Sequence, residues 1–275
     1  MKVFVTGASG FIGSAVVREL IAAGHTVVGL TRSDNGIAVL KEAGAEAQQG
    51  TLDDLDSLHS GAAAADGVIH LAFNHNLSEF AAALAIDLRA VETMGAALKD
   101  SGKPFVITGH LNGEASENAA FALAGVRSSV VNLSPSVHGE GDRSGLVPRL
   151  INIARTKGIS AYIGDGTNRW PAVHRLDAAR LFRLALEVAP AGSRLDGAGD
   201  EGIPFRAIAD VIGRHLNLPV VSISRAEANA HFGSFLSVVA ALDAPKSSTL
   251  TQELLGWRPV HLALLPDLEQ HYFNN

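Results

Sequence analysis

The sequence predicts an α/β fold, a doubly wound parallel sheet with a smaller C-terminal lobe, and three observations predict it. Short apolar runs alternate with helix-length amphipathic stretches through the first half of the chain. Those runs are nearly continuous and rich in β-branched residues, as strands buried on both faces are. A glycine-rich turn, Gly7-Ala8-Ser9-Gly10-Phe11-Ile12-Gly13, joins the first run to the first helical stretch. At 275 residues the chain suffices for one large domain, or for a domain with a smaller lobe. With 47% apolar and 18% charged residues it is compact rather than disordered.

In chain order, strands are predicted at residues 2–6, 26–31, 67–71, 104–108 and 128–133, each bounded by Gly, Pro, Asp or other turn residues. Residues 45–49 form a less apolar third strand suited to a sheet edge. Helices are predicted at 11–23, 35–43, 77–100 and 115–124. Beyond residue 133 the texture changes: a loop at 134–145, a helix at 146–157, a short strand at 160–163 and a turn-rich stretch before a helix near 177–187. Helices at 204–215 and 226–242 flank an extended segment at 220–224. The expected division is a nucleotide-binding domain at 1–135, with 165–190 returning to it, and a smaller lobe from 136–164 and 191–275.

Several classes of function are excluded or disfavoured. The net charge of −6 gives no electrostatic reason for a nucleic-acid partner. Absence of cysteine removes disulfides and thiolate metal sites. The apolar run at the N-terminus is too short for a signal peptide, and no run approaches the roughly 20 residues of a membrane helix. The expectation is a soluble, cytoplasmic protein without a membrane partner.

The glycine-rich turn carries the chemistry. Gly7 permits the tight turn, Gly10 lets backbone approach a pyrophosphate, and Gly13 lets helix and strand pack closely. The helix start then offers unpaired N–H groups and a partial positive charge to phosphates. This strand–turn–helix context makes the domain a Rossmann fold, with Ser9, Phe11 and Ile12 also facing the nucleotide. The second strand ends Leu30-Thr31-Arg32-Ser33, with a cation and a hydroxyl where an NAD-binding protein usually has an acid. Arg32 and Ser33 suit a 2′-phosphate, so NADP(H) is favoured. NAD(H), with Asp34 on the ribose, is the alternative.

These residues resemble the extended and atypical short-chain dehydrogenase/reductase superfamily, the group of epimerase/dehydratase-like proteins, whose glycine spacing is TGxxGxxG. The resemblance covers most of the chain. It implies cofactor contacts from Leu52, from Leu71, Ala72 and Phe73 after the fourth strand, from Thr108, and from Pro135, Ser136 and Val137 at the nicotinamide end. Trp170-Pro171-Ala172-Val173-His174-Arg175-Leu176-Asp177 resembles the segment leading to a returning helix. Leu255-Gly256-Trp257-Arg258-Pro259 is similar to the C-terminal signature of the substrate lobe.

Two departures bear on chemistry. The family's acid after the third strand contacts adenine. Here Thr51 holds its place, and Asp53 could substitute only with an altered loop. The family's Tyr-x-x-x-Lys after the fifth strand is missing: the two tyrosines, Tyr162 and Tyr272, stand elsewhere. Glu117 resembles the acid near the start of the catalytic helix, and the stretch before it is shorter than the family's. Three readings stay open: a subgroup without the catalytic tetrad, a trimmed chain, or a segment absent from this sequence.

Remaining candidates for proton chemistry are Thr108, His110 and His138. Arg149, Arg169, Trp170, His174 and Arg175 are grouped as candidates for a substrate cleft, with Arg149, Trp170 and His174 the substrate residues. Asp177 is read as a helix N-cap, and His70 as a buried, hydrogen-bonded strand residue. The histidines lack helical His-x-x-x-His spacing beside a carboxylate, so no metal is expected. The sequence therefore points to an NADP(H)-binding oxidoreductase or epimerase-like enzyme acting on a small carbonyl or alcohol. The alternative is a non-catalytic NADP(H)-sensing protein. A small molecule is the expected partner, and a homodimer is left open.

Overall fold

In the computed structural model, which describes residues 1–74 and 79–273, the chain divides into two compact units. Unit one holds Met1–Leu133, Ala178–Gly197 and Thr249–Arg258; unit two holds Ser134–Asp177, Ala198–Ser248 and Pro259–Asn275.

Unit one is built on seven parallel strands: β1 (Lys2–Thr6), β2 (Thr26–Thr31), β3 (Glu46–Gln49), β4 (Gly67–His70), β5 (Pro104–Thr108), β6 (Arg127–Leu133) and β10 (Ser193–Gly197). Their order is β10-β6-β5-β4-β1-β2-β3, the doubly wound Rossmann order with one strand added at the β6 edge. Polar β3 lies at the opposite edge, where one side needs no ladder partner. Register places Thr6 beside His70 and Thr108 beside Val131. The crossover helices are α1 (Phe11–Ala22), α2 (Asp34–Glu42), α3 (Leu55–Ala63), α4 (Phe80–Leu98), α5 (Glu114–Phe121) and α7 (Arg175–Val188), the last belonging to unit one from Ala178. Phe4, Val68, Phe105, Ile107, Met94 and Leu98 are fully buried between the sheet and its helices. The first two residues expected in α4, Leu77 and Ser78, lie outside the described residues.

Two segments expected in the smaller lobe join unit one instead. β10 pairs in parallel with β6, so 193–197 belongs to the large sheet. Helix α10 (Thr249–Leu255) packs on β10 and is followed by Trp257, a fully buried side chain. The returning segment is thus 178–197 rather than 165–190, and the LGWRP sequence contributes its tryptophan to unit one. Helix α3 was not anticipated: Asp56, Ser57, His59, Ser60 and Gly61 interrupt its apolar residues, and Asp54 starts it by accepting the Ser57 amide at 3.1 Å.

Unit two contains a three-stranded sheet, β11 (Asp200–Pro204)-β9 (Arg169–His174)-β7 (Ser136–His138), and a parallel pair, β12 (Val220–Ile223)-β8 (Ser160–Ile163). Around them pack α6 (Leu146–Lys157), α8 (Phe205–Leu216), α9 (Ala228–Val239) and α11 (Leu264–His271). The expected helix at 226–242 is broken at Gly233, whose φ of 78° and ψ of 168° are non-helical. β7 and β9 occupy stretches read as loop and turn. At three and six residues they are short, and their pairing partners are distant in sequence. No helix among the described residues is long and apolar enough to cross a membrane.

Candidate functional site

Strand order reverses between β1 and β4, and ligands of open α/β sheets sit outside the carboxyl ends at that point. The glycine-rich turn occupies it. Gly7 has a φ of +67°, and a Cβ there would lie 2.8 Å from the Ala72 amide nitrogen. A Cβ on Gly13 would stand 2.0 Å from the Gly7 carbonyl, so helix and turn close only on glycine. Gly10 differs: a Cβ would meet only Gly7 O, at 3.2 Å, leaving its outer face clear for a ligand. Gly10 is also the extended N-cap of α1, with no capping side chain and no acid in the first turn. The positive end of the helix is therefore not neutralised from within. Phe11 and Ile12 are half-buried there, and Ser9 Oγ lies 3.4 Å from Thr31 Oγ1.

A buried polar chain fixes this turn to the end of β4. Thr6 Oγ1 accepts the amides of Leu71 and Ala72, both at 3.2 Å, and stands 2.6 Å from His70 Nδ1. With both lone pairs taken, the Thr6 hydroxyl must donate to Nδ1. The proton of His70 is then on Nε2, which donates to Asp87 Oδ1 at 3.1 Å. Ser116 Oγ donates to Asp87 Oδ2 at 2.6 Å. Burial pushes the Asp87 carboxyl up, but the bonds from His70 and Ser116 and the nearby histidines outweigh it and hold it below the usual carboxylate range. His70 is as expected. Asp87 was missed, although its signal was legible: it stands in the buried stripe Ala83, Asp87, Ala90, Val91 and Met94 of an apolar helix.

Other expected cofactor residues divide by unit. Arg32 is exposed just past β2, and among the described residues no carboxylate pairs with it. Ser33 Oγ accepts the Gly36 amide at 3.2 Å as the cap of α2, so its oxygen is already partly used. Thr51 accepts the Asp53 amide at 3.3 Å, while Asp53 pairs with Arg89 at 3.6 Å on the surface. Leu52, Leu71, Ala72 and Phe73 are half-buried in unit one. Thr108 Oγ1 donates to His70 O at 3.0 Å, and the His110 ring stacks on Phe73 with centroids 4.0 Å apart. Glu117 is buried and paired with Arg194. Pro135, Ser136 and Val137 belong to unit two, with Ser136 buried and its Oγ unpartnered.

Unit two gathers a second cluster. His138 Nδ1 and His271 Nδ1 each lie 2.7 Å from an oxygen of Asp267, which is fully buried. His138 Nε2 is buried without a partner. The His174 ring meets His138 edge-on at 5.4 Å and stacks on His261 at 4.9 Å. Burial, with the neighbouring His138 and His261, pushes the His174 pKa down to about 4. His174, Asp177 and His261 place ligand-type atoms within 4.8 Å of one another, a proximity the sequence spacing did not signal. These atoms already bind each other and backbone. Asp177 accepts the Val260 and His261 amides at 3.0 Å and faces His261 Nδ1 at 2.9 Å, and His174 Nδ1 accepts the Leu176 amide. Asp177 thus ties down the 260–261 turn rather than capping the helix as expected.

One substrate candidate is corrected. Trp170 is a core residue, 4% exposed, packed edge-on against Phe205 and donating Nε1–H to Val239 O. Arg169 forms a two-pronged surface pair with Asp243. Arg149 is exposed and donates Nε–H to Ser144 O at 3.1 Å. Both tyrosines lie in unit two: Tyr162 is buried in β8, and Tyr272 donates to Asp142 at 3.1 Å. Burial and the Asp142 charge push the Tyr272 hydroxyl well above the usual phenol range. Neither tyrosine belongs to unit one, the unit that holds β5.

Comparison with known proteins agrees with this geometry. Residues 3–109 match the profile of the NAD dependent epimerase/dehydratase family. An uncharacterized protein of Schizosaccharomyces pombe is 48% identical over 291 aligned positions, covering 98% of each chain. That aligned length exceeds the 275 residues here, so the match carries gaps in this chain. The 2-alkyl-3-oxoalkanoate reductase of Stenotrophomonas maltophilia is 26% identical, covering 80% of this chain and 77% of its own. The fold is shared with the dTDP-glucose 4,6-dehydratase DesIV of Streptomyces venezuelae, solved with NAD bound: TM-score 0.76, 18% identity, 98% and 95% of the two chains covered.

Proposed function

The chain belongs to the NAD dependent epimerase/dehydratase family, and from that membership we propose an NADP(H)-dependent oxidoreductase acting on a small carbonyl or alcohol. One observation carries the cofactor reading: a glycine turn at the strand-order reversal, open at Gly10, with a cation instead of an acid at the end of β2. The diphosphate is held by the first-turn amides of α1, where no acidic side chain competes. Arg32 takes the 2′-phosphate through its planar fork, with Ser33 beside it. Leu71, Ala72 and Phe73 line the nucleotide after β4. When bound, the nicotinamide supplies hydride chemistry; the protein orients it and excludes water. Similarity to a reductase of 3-oxo acids supports a ketone as the oxidised substrate.

Calorimetry with NADPH and NADH tests this reading. The protein is expected to bind NADPH more tightly, and Arg32→Asp to weaken NADPH about 10- to 100-fold, the value of a charged hydrogen bond, while sparing NADH. Equal affinities, unchanged by that substitution, would remove the NADP(H) assignment. A second reading, NADP(H) sensing without turnover, is favoured by one observation: neither tyrosine of the chain belongs to unit one. NADPH oxidation across a panel of aldehydes, ketones and quinones separates the two.

A further inference from the structure

We propose that His110, positioned by the buried carboxylate of Asp87, is the catalytic acid–base that passes a proton to the substrate oxygen in place of the family's tyrosine. This rests on the oxidoreductase reading above and names the proton-carrying group it lacks.

The backbone brings His110 to the right end of the sheet. β5 stops at Thr108, whose hydroxyl proton is committed to His70 O. Gly109 follows with its amide on Val131 O, and a Cβ there would stand 1.8 Å from Asn132 Oδ1, so a larger residue would have to displace the Asn132 side chain. The next residue, His110, comes off the carboxyl end of β5, the strand that pairs with β4 on the side away from the strand-order reversal. Its carbonyl accepts the Gly113 amide, closing a turn that starts α5. The ring is held on one face by Phe73, with centroids 4.0 Å apart, and Nε2 lies 3.8 Å from Asp87 Oδ1. His110 is 15% exposed at its side chain, against 2% for Asp87.

Charge accounting says what this contact does. Ser116 is a neutral donor, so His70 and His110 are the side chains of this cluster able to place positive charge beside Asp87. A buried carboxylate favours a cation close by. His110 is the member of this cluster that reaches the surface, and as imidazolium it supplies that cation. The other charged neighbour on α5, Glu117, is already bound to Arg194. Asp87 therefore keeps a proton on His110 and holds the ring for passing it on. In ketone reduction, the carbonyl π bond opens, a C–H bond forms with the hydride taken from NADPH, and the oxygen takes the His110 proton. The products are an alcohol, NADP⁺ and neutral imidazole, which solvent reprotonates. Alcohol oxidation runs the same step backwards.

Two readouts test this. In a side-chain NMR titration of ¹³C-histidine-labelled protein with NADP⁺ present, His110 is expected to titrate about one pH unit higher than in Asp87→Asn. His110→Gln is expected to lower kcat for NADPH-dependent reduction of a 3-oxo ester about 100-fold, with the NADPH Kd unchanged, and to remove the fall in rate as pH rises through the His110 pKa. A His110 titration indifferent to Asp87→Asn overturns the proposal, with or without turnover. If Asp87→Asn does not fold, wild-type kcat and pH profile in His110→Gln overturn it by themselves. Failure of the wild type to bind NADPH strikes the cofactor reading instead, and is scored separately by calorimetry.

Discussion

Thr6 is a short side chain with three uses for one hydroxyl. It accepts two amides and donates to His70, so it sets the path of residues 71–72 and the tautomer of a buried histidine at once. Thr6→Val keeps the shape and removes all three bonds. Unfolding in urea is expected to show a loss of about 1–3 kcal/mol from the groups left unsatisfied. NADPH affinity should fall as well, because Ala72 presses against Gly7. Unchanged stability in that variant would mean that water satisfies the freed groups. Trp170 teaches the converse lesson. An aromatic in a polar stretch reads as a ligand contact, yet its indole N–H needs only one acceptor, Val239 O, to be buried at low cost.

Among the elements, α11 is the clearest case of a helix placed by polar rather than apolar contacts alone. Asp267 lies on its buried stripe with Leu264 and Leu268, and reaches His138 on β7. Burial raises its carboxyl, but the bonds from His138 and His271 win and hold it below the ordinary range. Asp267→Asn keeps the volume and loses the charge, and about 1.5–3 kcal/mol of stability is expected to go with it. Urea denaturation followed by tryptophan fluorescence measures this through Trp170, in the same unit. At its start α1 shows the opposite arrangement. Its first turn has no acid and no cap side chain, a weakness in an isolated helix that becomes useful where an anion binds.

For the whole molecule, acid is the expected vulnerability. His174 drops to about 4 from its ordinary 6.5, so on acidification the unfolded chain takes that proton first. Its contribution is fully present at neutral pH and is lost as pH falls from about 6.5 to 4. Asp87 and Asp267, both lowered, hold their contributions above the unfolded carboxylate pKa and lose them as pH falls through their folded values. Melting temperatures should therefore fall steadily from pH 7 to 4, and His174→Gln should flatten the upper part of that slope; an unchanged slope would rule His174 out as a contributor. By itself, the sequence determined the large sheet, its parallel sense, its polar edge strand and the glycine turn, because strand burial and tight turns restrict residue type locally. It also marked His70 as a buried histidine and Arg32 as the cation after β2. Only the tertiary structure decided that 193–197 and 249–258 rejoin unit one, that Trp170 is core, that Asp177 binds a distant turn, and that Asp87 stands beside His110. Each of those depends on a partner far away along the chain, and periodicity carries no information about which distant segment will supply a strand's ladder or a carboxylate's donor.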